Sequence, residues 1–557
     1  MYMLGIPLTR AKFQKNYTDQ CWTMIAILVC FAWSSPRVSV WAEGLDSGDS
    51  NAQEKIWQKL IDDGTAAYKS GDYAAAEKYF SAAVSNSELP GAGNDAHLGT
   101  SLNDLAMVLE AEGKNRDAEV NYKRALEVKR RTAGAQDKSL IPTLNNLAFL
   151  YRKLGQLSDA ENTYRQSLDV AEKNEGPDNP VVAACLNNLA LTLQVEGKGN
   201  QAKPLLEREI AIVEKNYGRE DPSLATVLNN LAIFYRDQNQ MGEAIPIYTR
   251  VLAIREKAFG ENSDEVAASL NALAGCYRAQ NKFEEAEPLL SKSLQILEKA
   301  GKPDVQNLLI AINNLALVER QLQKLSEAEV LYKRALSIAQ QGFGNDSLEV
   351  AEVLDNLGDL YLQEQNLAQA QTSYEQALSL REKHYGAQSV ELTESLNRLA
   401  ELYREQGNYS QAEAKAKRAI DILQVGGTQN GANLATALNN LGLLYREEGK
   451  TQEVESVFKQ AVEIREKMPP GTTDADLATS LNNLARFDRE QGKYEEAEAL
   501  YKRSLELRRK MFGPDDPSVA ASLRNYSALL RKMHRDQEAD VLDKQALVIE
   551  TKNGEGL

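Results

Sequence analysis

The chain has 557 residues, a formal net charge of −16 and 43% hydrophobic residues. This length exceeds a single domain of about 150 residues, so the chain must hold several domains or an array of repeats. With 43% hydrophobic residues, 26% charged residues and only 15 prolines, the composition excludes collagen-like chains, coil-only chains and polytopic membrane proteins and argues against long disordered tracts. The acidic balance disfavours nucleic acid as a partner, because neutralising phosphates requires a surface rich in Lys and Arg.

The N-terminal segment has the pattern of a secretory leader. Basic residues precede an uncharged stretch of 17 residues from Gln20 to Pro36. This stretch is shorter than the roughly 20 apolar residues of a membrane-spanning helix. Val40-Trp41-Ala42 offers small residues at both recognition positions of signal peptidase, so we expect residues 1–42 to be a signal peptide and the mature chain to begin at Glu43. The expected location is extracytoplasmic, either periplasmic or secreted.

Two alternatives remain open for this segment. An uncleaved signal would anchor the protein in a membrane. A start codon placed too early would make the leader an artefact and the protein cytosolic. If the signal is cleaved, we expect no stable membrane insertion of the mature chain.

Residues that carry metal or catalytic chemistry are few. Beyond the leader the only cysteines are Cys185 and Cys276, and no Cys or His cluster has the spacing of a metal site. The histidines His97, His384 and His534 belong to no HExxH motif, and no GxGxxG, GxxxxGK[ST] or GxSxG motif occurs. We therefore expect no enzyme activity, no cofactor, no metal site and no disulfide bond between the two cysteines.

An internal repeat with a period of 42 residues runs through the chain. An LNNLA-like pentapeptide recurs at this spacing, with one extra residue before the tenth copy. The ten copies begin at Leu102, Leu144, Leu186, Leu228, Leu270, Ile312, Leu354, Leu396, Leu438 and Leu481. Weaker copies at Leu60 and Leu523 extend the array at both ends, so we expect twelve repeats.

Each repeat has the pattern of two helices. Apolar residues lie three or four residues apart from Leu144 to Tyr151, and again from Ala160 to Leu168, which is the spacing of a helix with one buried face. Gly155 lies between the two stretches, where the first helix must end and the chain must reverse. The sequence therefore predicts an all-α protein in which each repeat is a helical hairpin.

These hairpins resemble the tetratricopeptide repeat. The order of apolar, small and aromatic residues from Leu144 to Tyr164 looks like that family, and the 42-residue period, the LNNLA start and the EAEVLYKRAL segment from Glu327 to Leu336 are similar to the kinesin light chain subtype. The resemblance implies a right-handed superhelical solenoid whose first helices line a concave surface and bind protein or peptide partners. Kinesin light chains carry a long coiled coil before their repeats, whereas here only the leader and a short linker precede them. The motor-adaptor role is therefore not expected.

The expected organisation has four segments, and a solenoid of about twelve hairpins accounts for most of the chain. The segments are a signal peptide at residues 1–42, a linker at residues 43–54, the tetratricopeptide repeat solenoid at residues 55–550 and a C-terminal tail at residues 551–557.

The first helices carry candidates for a peptide-binding groove. Counted at about 100° per residue, Asn146 and Phe149 face away from the apolar core and Arg152 flanks them. Carboxamides donate and accept hydrogen bonds, so a row of asparagines can pair with an extended peptide backbone, and arginines can bind carboxylates or phosphorylated side chains. In related repeat domains asparagines of the first helix clamp peptides, and the resemblance implies that use here. The candidate residues are Asn146, Asn188, Asn230, Asn314, Phe149, Leu191, Ile233, Arg152, Arg236 and Arg278.

The groove position that faces farthest from the core changes character along the chain. It is apolar in the early repeats and polar in later ones, which favours a hydrophobic peptide site in the N-terminal half. The residues at this position include Met107, Phe149, Leu191, Ile233 and Leu317, and then Asp359, Glu401 and Arg486.

Two functional hypotheses follow from these patterns. The first is a non-enzymatic interaction scaffold that binds extended segments or partner proteins through the groove. The second is a structural spacer of the cell envelope, in which the asparagines join adjacent repeats and the arginines pair with nearby acids. Unpaired groove residues favour the scaffold, whereas groove residues bonded to their neighbours favour the spacer.

Overall fold

The structure of the protein is a computed structural model that describes residues 50–89, 95–301, 304–425, 427–468 and 474–552. These residues form α-helices with two short 3-10 segments and without a β-strand, so the all-α prediction is confirmed.

The predicted signal peptide, residues 1–42, lies outside the described residues. The first helix begins at Ser50, within the segment predicted as a linker, and the last ends at Lys552, within the segment predicted as a tail. Among the helices that the structure describes, none is long and apolar enough to cross a membrane.

The chain divides into two compact units, residues 1–282 and residues 283–557. The helices of the first unit are α1 (Ser50–Lys69), α2 (Tyr73–Ser87), α3 (Asp95–Ala111), α4 (Asn115–Ala133), α5 (Leu140–Lys153), α6 (Leu157–Glu175), α7 (Pro180–Val195), α8 (Gly199–Tyr217), α9 (Pro222–Asp237), α10 (Met241–Phe259) and α11 (Asp264–Ala279).

The second unit continues the same alternation of helices. Its helices are α12 (Phe283–Lys299), α13 (Val305–Gln321), α14 (Leu325–Phe343), α15 (Leu348–Gln363), α16 (Leu367–Tyr385), α17 (Thr393–Glu405), α18 (Tyr409–Val425), α19 (Gly431–Glu448), α20 (Thr451–Glu466), α21 (Asp474–Glu490), α22 (Tyr494–Phe512), α23 (Pro517–Lys532) and α24 (Asp536–Lys552). The 3-10 segments are Val390–Leu392 and Gly427–Asn430. Odd-numbered helices are the first helices of the repeats and even-numbered helices are the second helices.

The core of each unit lies between first and second helices, as the apolar spacing predicts. In the first unit Leu144 and Ala148 of α5 are at most 1% exposed, and Tyr164 of α6 is 1% exposed beside them. In the second unit Leu354 of α15 and Tyr374 of α16 are buried in the same way. A hairpin of this size cannot bury its apolar face alone, so each repeat depends on its neighbours for stability.

Both cysteines beyond the predicted leader are buried and free. The Sγ of Cys185 lies 3.5 Å from the Oγ of Ser167 on the preceding second helix. Burial raises the pKa of both thiols, that of Cys276 to about 11. These properties make the two cysteines small packing residues of the first helices.

Candidate protein-binding site

The first helices of the first unit are joined by asparagines. The Nδ2 of Asn146 on α5 donates to the Oδ1 of Asn103 on α3 at 3.2 Å. The Nδ2 of Asn230 on α9 donates to the Oδ1 of Asn187 on α7 at 2.8 Å. Each bond connects adjacent repeats. Asn230 is only 5% exposed, so it does not face away from the packed surface as the helical phase predicts. The reason is that the neighbouring first helix covers this side of α9.

Asn188 of α7 lies at the same position but is not bonded in this way. Its side chain is half-buried and forms no hydrogen bond with any residue described in the first unit. The residue that corresponds to its expected partner is Asn145 of α5, and the Oδ1 of Asn145 is buried without a hydrogen-bond partner. Asn188 therefore presents the one carboxamide of the three that is not committed to a neighbouring repeat.

The second unit repeats this joining pattern farther along the chain. The Nδ2 of Asn525 on α23 donates to the Oδ1 of Asn482 on α21 at 3.1 Å, and the Nδ2 of Asn439 on α19 donates to the Oγ of Ser480 on α21 at 2.7 Å. The candidate Asn314 lies half-buried on α13. Because Asn314 belongs to the second unit, it forms no part of a site within the first.

An apolar row runs along the first helices of the first unit. It consists of Met107 on α3, Phe149 on α5, Leu191 on α7 and Ile233 on α9, each at the same position of its repeat and each half-buried. Three of the predicted groove residues, Phe149, Leu191 and Ile233, thus occupy equivalent places on successive helices. An apolar segment laid across these helices would cover the exposed part of each side chain.

Two candidate arginines of the first unit, Arg152 and Arg236, contact residues of their own repeat. The guanidinium of Arg152 lies 5.3 Å from the ring centroid of Phe149 and 5.8 Å from that of Tyr164, and burial lowers its pKa. Arg236 pairs with Asp237 at 3.0 Å, and Arg278 lies half-buried at the same position on α11. These contacts hold the arginines against aromatic and acidic side chains.

In the second unit the polar groove position is engaged internally. The hydroxyl of Tyr374 on α16 donates to the Oδ1 of Asp359 on α15 at 2.6 Å. Arg320 of α13 pairs with the Oδ2 of Asp359 at 3.5 Å, and Arg398 of α17 pairs with its Oδ1. The carboxylate of Asp359 is therefore surrounded by donors from three successive repeats.

Sequence reasoning missed the part that tyrosines of the second helices play at this surface. Besides Tyr374, the hydroxyl of Tyr122 on α4 donates to Glu110 on α3 at 3.3 Å. A tyrosine recurs at this place in several repeats and was a usable signal, but the repeat pattern assigns it to the core. The rings of Tyr122 and Tyr374 do lie in the core, whereas their hydroxyls reach acidic residues of the first helix.

In the described ranges no group of His, Cys, Asp and Glu could hold a metal ion. The surface formed by the first helices offers apolar side chains, carboxamides and guanidiniums. Such groups bind by contact and hydrogen bonding, and side chains of these kinds suit the recognition of another polypeptide.

The model of the tetratricopeptide repeat family matches most of the chain. The matched residues are 64–131, 139–215, 183–257, 223–299, 307–383, 391–467 and 476–549. No curated protein matches the chain at a significant level.

Several solved structures are similar to parts of the chain. BtubC (BKLC) from P. vanneervenii is 24% identical over 42% of this chain and 94% of its own, with a TM-score of 0.37. A kinesin light chain-like protein of Podosopora anserina with nearly identical TPR-like repeats is 26% identical over 37% of this chain and 97% of its own, with a TM-score of 0.34. A tetratricopeptide repeat protein from Parabacteroides merdae is 17% identical over 54% of this chain and 98% of its own, with a TM-score of 0.37. Since the family model alone matches well over half of the residues, the chain belongs to the tetratricopeptide repeat family, as its repeats predict.

Proposed function

We propose that this chain is a non-enzymatic scaffold that binds an extended segment of a partner protein across the first helices of its first unit. Tetratricopeptide repeats indicate a protein–protein interaction scaffold in general, and their fold is typically non-catalytic. The observation that carries the finer proposal is the apolar row. Its four side chains recur at one position on α3, α5, α7 and α9 and remain half-buried, so a partner segment with spaced apolar side chains can complete their burial.

The asparagines beside the apolar row supply hydrogen bonds to the segment. A carboxamide has two N–H donors and an oxygen that accepts. Asn146 and Asn230 use an N–H to join repeats, whereas Asn188 in the middle of the row keeps its whole carboxamide for a partner. One surface thus serves both to stack the repeats and to bind.

A specific observation favours the structural spacer as a second candidate. The joining bonds of Asn146, Asn230 and Asn525 all run between adjacent repeats, which is the internal use of asparagines that a spacer requires. The two candidates differ in what they require of Asn188 and of the apolar row, because a spacer needs neither to be accessible.

We also propose an extracytoplasmic location for the protein. The support comes from the basic segment, the uncharged stretch from Gln20 to Pro36 and the small residues at Val40 and Ala42. Its partner would then be a periplasmic or secreted protein rather than a nucleic acid or a membrane, in keeping with the acidic charge of the chain.

The apolar row is tested with peptides selected from a random library on the full chain. Leu191→Asp and Ile233→Asp should each weaken binding of a selected peptide by about tenfold or more, because a charge replaces an apolar contact. Val330→Asp on α14 is the matched control, since Val330 is 68% exposed on a second helix. Equal binding by all three variants, or the failure of any peptide to be selected, would contradict the proposal.

A pair of asparagine variants separates binding from joining. Asn188→Ala should weaken peptide binding by about 0.5–1.5 kcal/mol and leave the melting temperature unchanged. Asn230→Ala removes the donor to the Oδ1 of Asn187 and should lower stability by about 1–3 kcal/mol. If Asn188→Ala left binding intact, the asparagines would have no part in recognition.

A further inference from the structure

Two arginines of the second unit lie at the groove without a counter-ion. Arg446 on α19 and Arg489 on α21 occupy the same position of successive repeats and are half-buried. Within the described residues neither guanidinium has a hydrogen bond or an ion pair. Their equivalents are paired: Arg404 with Glu447 at 2.9 Å, and Arg531 with Asp540 at 2.8 Å. Arg446 and Arg489 are therefore exceptions within a unit that otherwise neutralises this position.

Earlier in the second unit, an arginine at this position has an acidic partner, Asp359. Around Asp359, the carboxylate accepts from the hydroxyl of Tyr374 and pairs with Arg320 of the preceding repeat. In repeat register, Arg446 corresponds to Arg320 and Tyr501 to Tyr374. Arg486 takes the position of Asp359 itself, and Asn525 takes that of Arg398, the third donor to Asp359. The later repeats therefore keep two of the three donors, lack the acceptor and add Arg489 where the earlier repeat has Leu362.

Tyr501 has the unsatisfied hydroxyl that this comparison predicts. The residue is 1% exposed, and its hydroxyl oxygen is buried without a hydrogen-bond partner among the residues described. Burial raises the pKa of Tyr501 to about 12, and the charges of Arg489 and Arg486 oppose that rise. A buried hydroxyl that donates to nothing is costly, so a partner that accepts its hydrogen bond would be favoured.

The arginines are close enough to act on one another. Burial and then the charge of Arg486 lower the pKa of Arg446, and Arg489 acts in the same direction, whereas Glu490 and Glu447 oppose them. Glu490 pairs with Arg486 at 3.3 Å and Glu447 with Arg404, so both acids are already engaged. The pair of Arg404 and Glu447 also shows that a guanidinium at this position reaches the next first helix.

We propose that Arg446, Arg489 and Tyr501, which surround the position where Arg486 replaces Asp359, bind an external phosphate group. Two guanidiniums without counter-ions match a group that carries about −1.5 to −2 charges at pH 7, whereas one carboxylate would neutralise only one of them. Phosphate oxygens also accept several hydrogen bonds at once, from the planar guanidinium forks and from the tyrosine hydroxyl. The site lies within the second unit and does not depend on the peptide site proposed for the first.

The test is a titration of the full chain with inorganic phosphate at constant ionic strength, followed by calorimetry. The chain should bind about one phosphate saturably, and the double substitution Arg446→Gln with Arg489→Gln should weaken that binding by about tenfold or more. Arg531→Gln is the matched control, because Arg531 has the same position but pairs with Asp540 and Asp543. Absent saturable binding, or equal binding by the double variant, would overturn the proposal. Acetate that bound as tightly as phosphate would overturn the choice of a dianion.

The melting temperature is a second measurement, which separates loss of phosphate binding from loss of folding. Because the two arginines form no bond that substitution would break, the double variant should melt at or above the temperature of the parent chain in the absence of phosphate. Phosphate should raise the melting temperature of the parent and not that of the double variant. Tyr501→Phe keeps the buried ring and removes the hydroxyl, so it should weaken phosphate binding by about two- to tenfold. Unchanged binding by this variant would contradict the role of Tyr501.

Discussion

Single asparagines decide which first helices are hydrogen-bonded to one another and which carboxamides remain accessible to a partner. The sequence places Asn146, Asn188 and Asn230 at one position, and the structure puts all three on adjacent first helices, yet only two of them bond to the preceding repeat. A helical phase describes a helix about its own axis and holds no information about the neighbouring helix. The burial of Asn230 could therefore not be predicted from its spacing, since it depends on how the repeats stack.

Glu209 is a residue at which charge and burial conflict. It lies on α8 with 4% of its surface exposed, and its Oε2 has no hydrogen-bond partner among the described residues. Burial raises the pKa of Glu209 well above its usual value. The equivalent positions in the adjacent repeats are Ser167 and Val251, so the carboxyl group is a local departure from the repeat pattern.

This conflict predicts a pH-dependent gain from Glu209→Gln. As the pH rises above the pKa of the unfolded chain, the unfolded state loses the proton first, so the native state loses stability. The amide cannot ionise, and the substitution should therefore raise the free energy of unfolding by about 1–3 kcal/mol at pH 8 and have little effect near pH 4. Urea denaturation at the two pH values measures the difference, and an equal effect at both would refute the assignment.

At the scale of helices, the turn between the two helices of a repeat is partly predictable. Gly155 and Gly407 have φ values of 75° and 70°, in the left-handed region that favours glycine, as expected for the end of a first helix. Five repeats reach the same conformation without glycine, with φ values between 58° and 63°. These residues are Asn239, Asn281, Gln323, Gln365 and His534. The packing of the hairpin imposes the turn there, so residue type alone does not mark it.

Two substitutions in adjacent repeats measure the backbone strain at these turns. Gln365→Gly should raise the free energy of unfolding by about 0.5–1 kcal/mol, because glycine adopts positive φ without a steric penalty. Gly407→Ala places a Cβ in the same conformation and should lower stability by about 1–2 kcal/mol. Equilibrium unfolding monitored by circular dichroism gives both values. Changes of the same sign for the two variants would show that backbone conformation does not decide stability at these turns.

At the scale of the whole molecule, ion pairs connect the second helices at a constant interval. In the first unit Arg208 pairs with Glu172 and Arg250 with Glu214, each 36 residues apart. The second unit continues this with Arg418 and Glu382 at the same interval. Each pair is partly exposed and contributes little alone to stability, about 0–1 kcal/mol.

The repeat period, the hairpins and the family could all be predicted from the sequence, because one pattern recurs many times. The cluster of Arg446, Arg489 and Tyr501 could not be predicted in this way, because it arises where the repeat pattern changes and an arginine replaces the acid at the position of Asp359.

The fate of the N-terminal segment is a separate prediction for the whole protein. If residues 1–42 act as a cleaved signal, N-terminal sequencing of protein recovered from its native host should begin at Glu43, because Val40 and Ala42 suit signal peptidase. Recovery of an intact Met1 in a soluble cytosolic fraction would contradict the extracytoplasmic location.

Amide hydrogen exchange of the full chain, measured with and without a selected peptide, tests the peptide site of the first unit most directly. If a partner segment lies across the first helices of the first unit, slower exchange should appear on α5, α7 and α9, around Phe149, Leu191 and Ile233. The second helices α6 and α8 should exchange at the same rate in both samples. Protection confined to the second helices, or no protection within the first unit, would contradict a peptide site on the first helices.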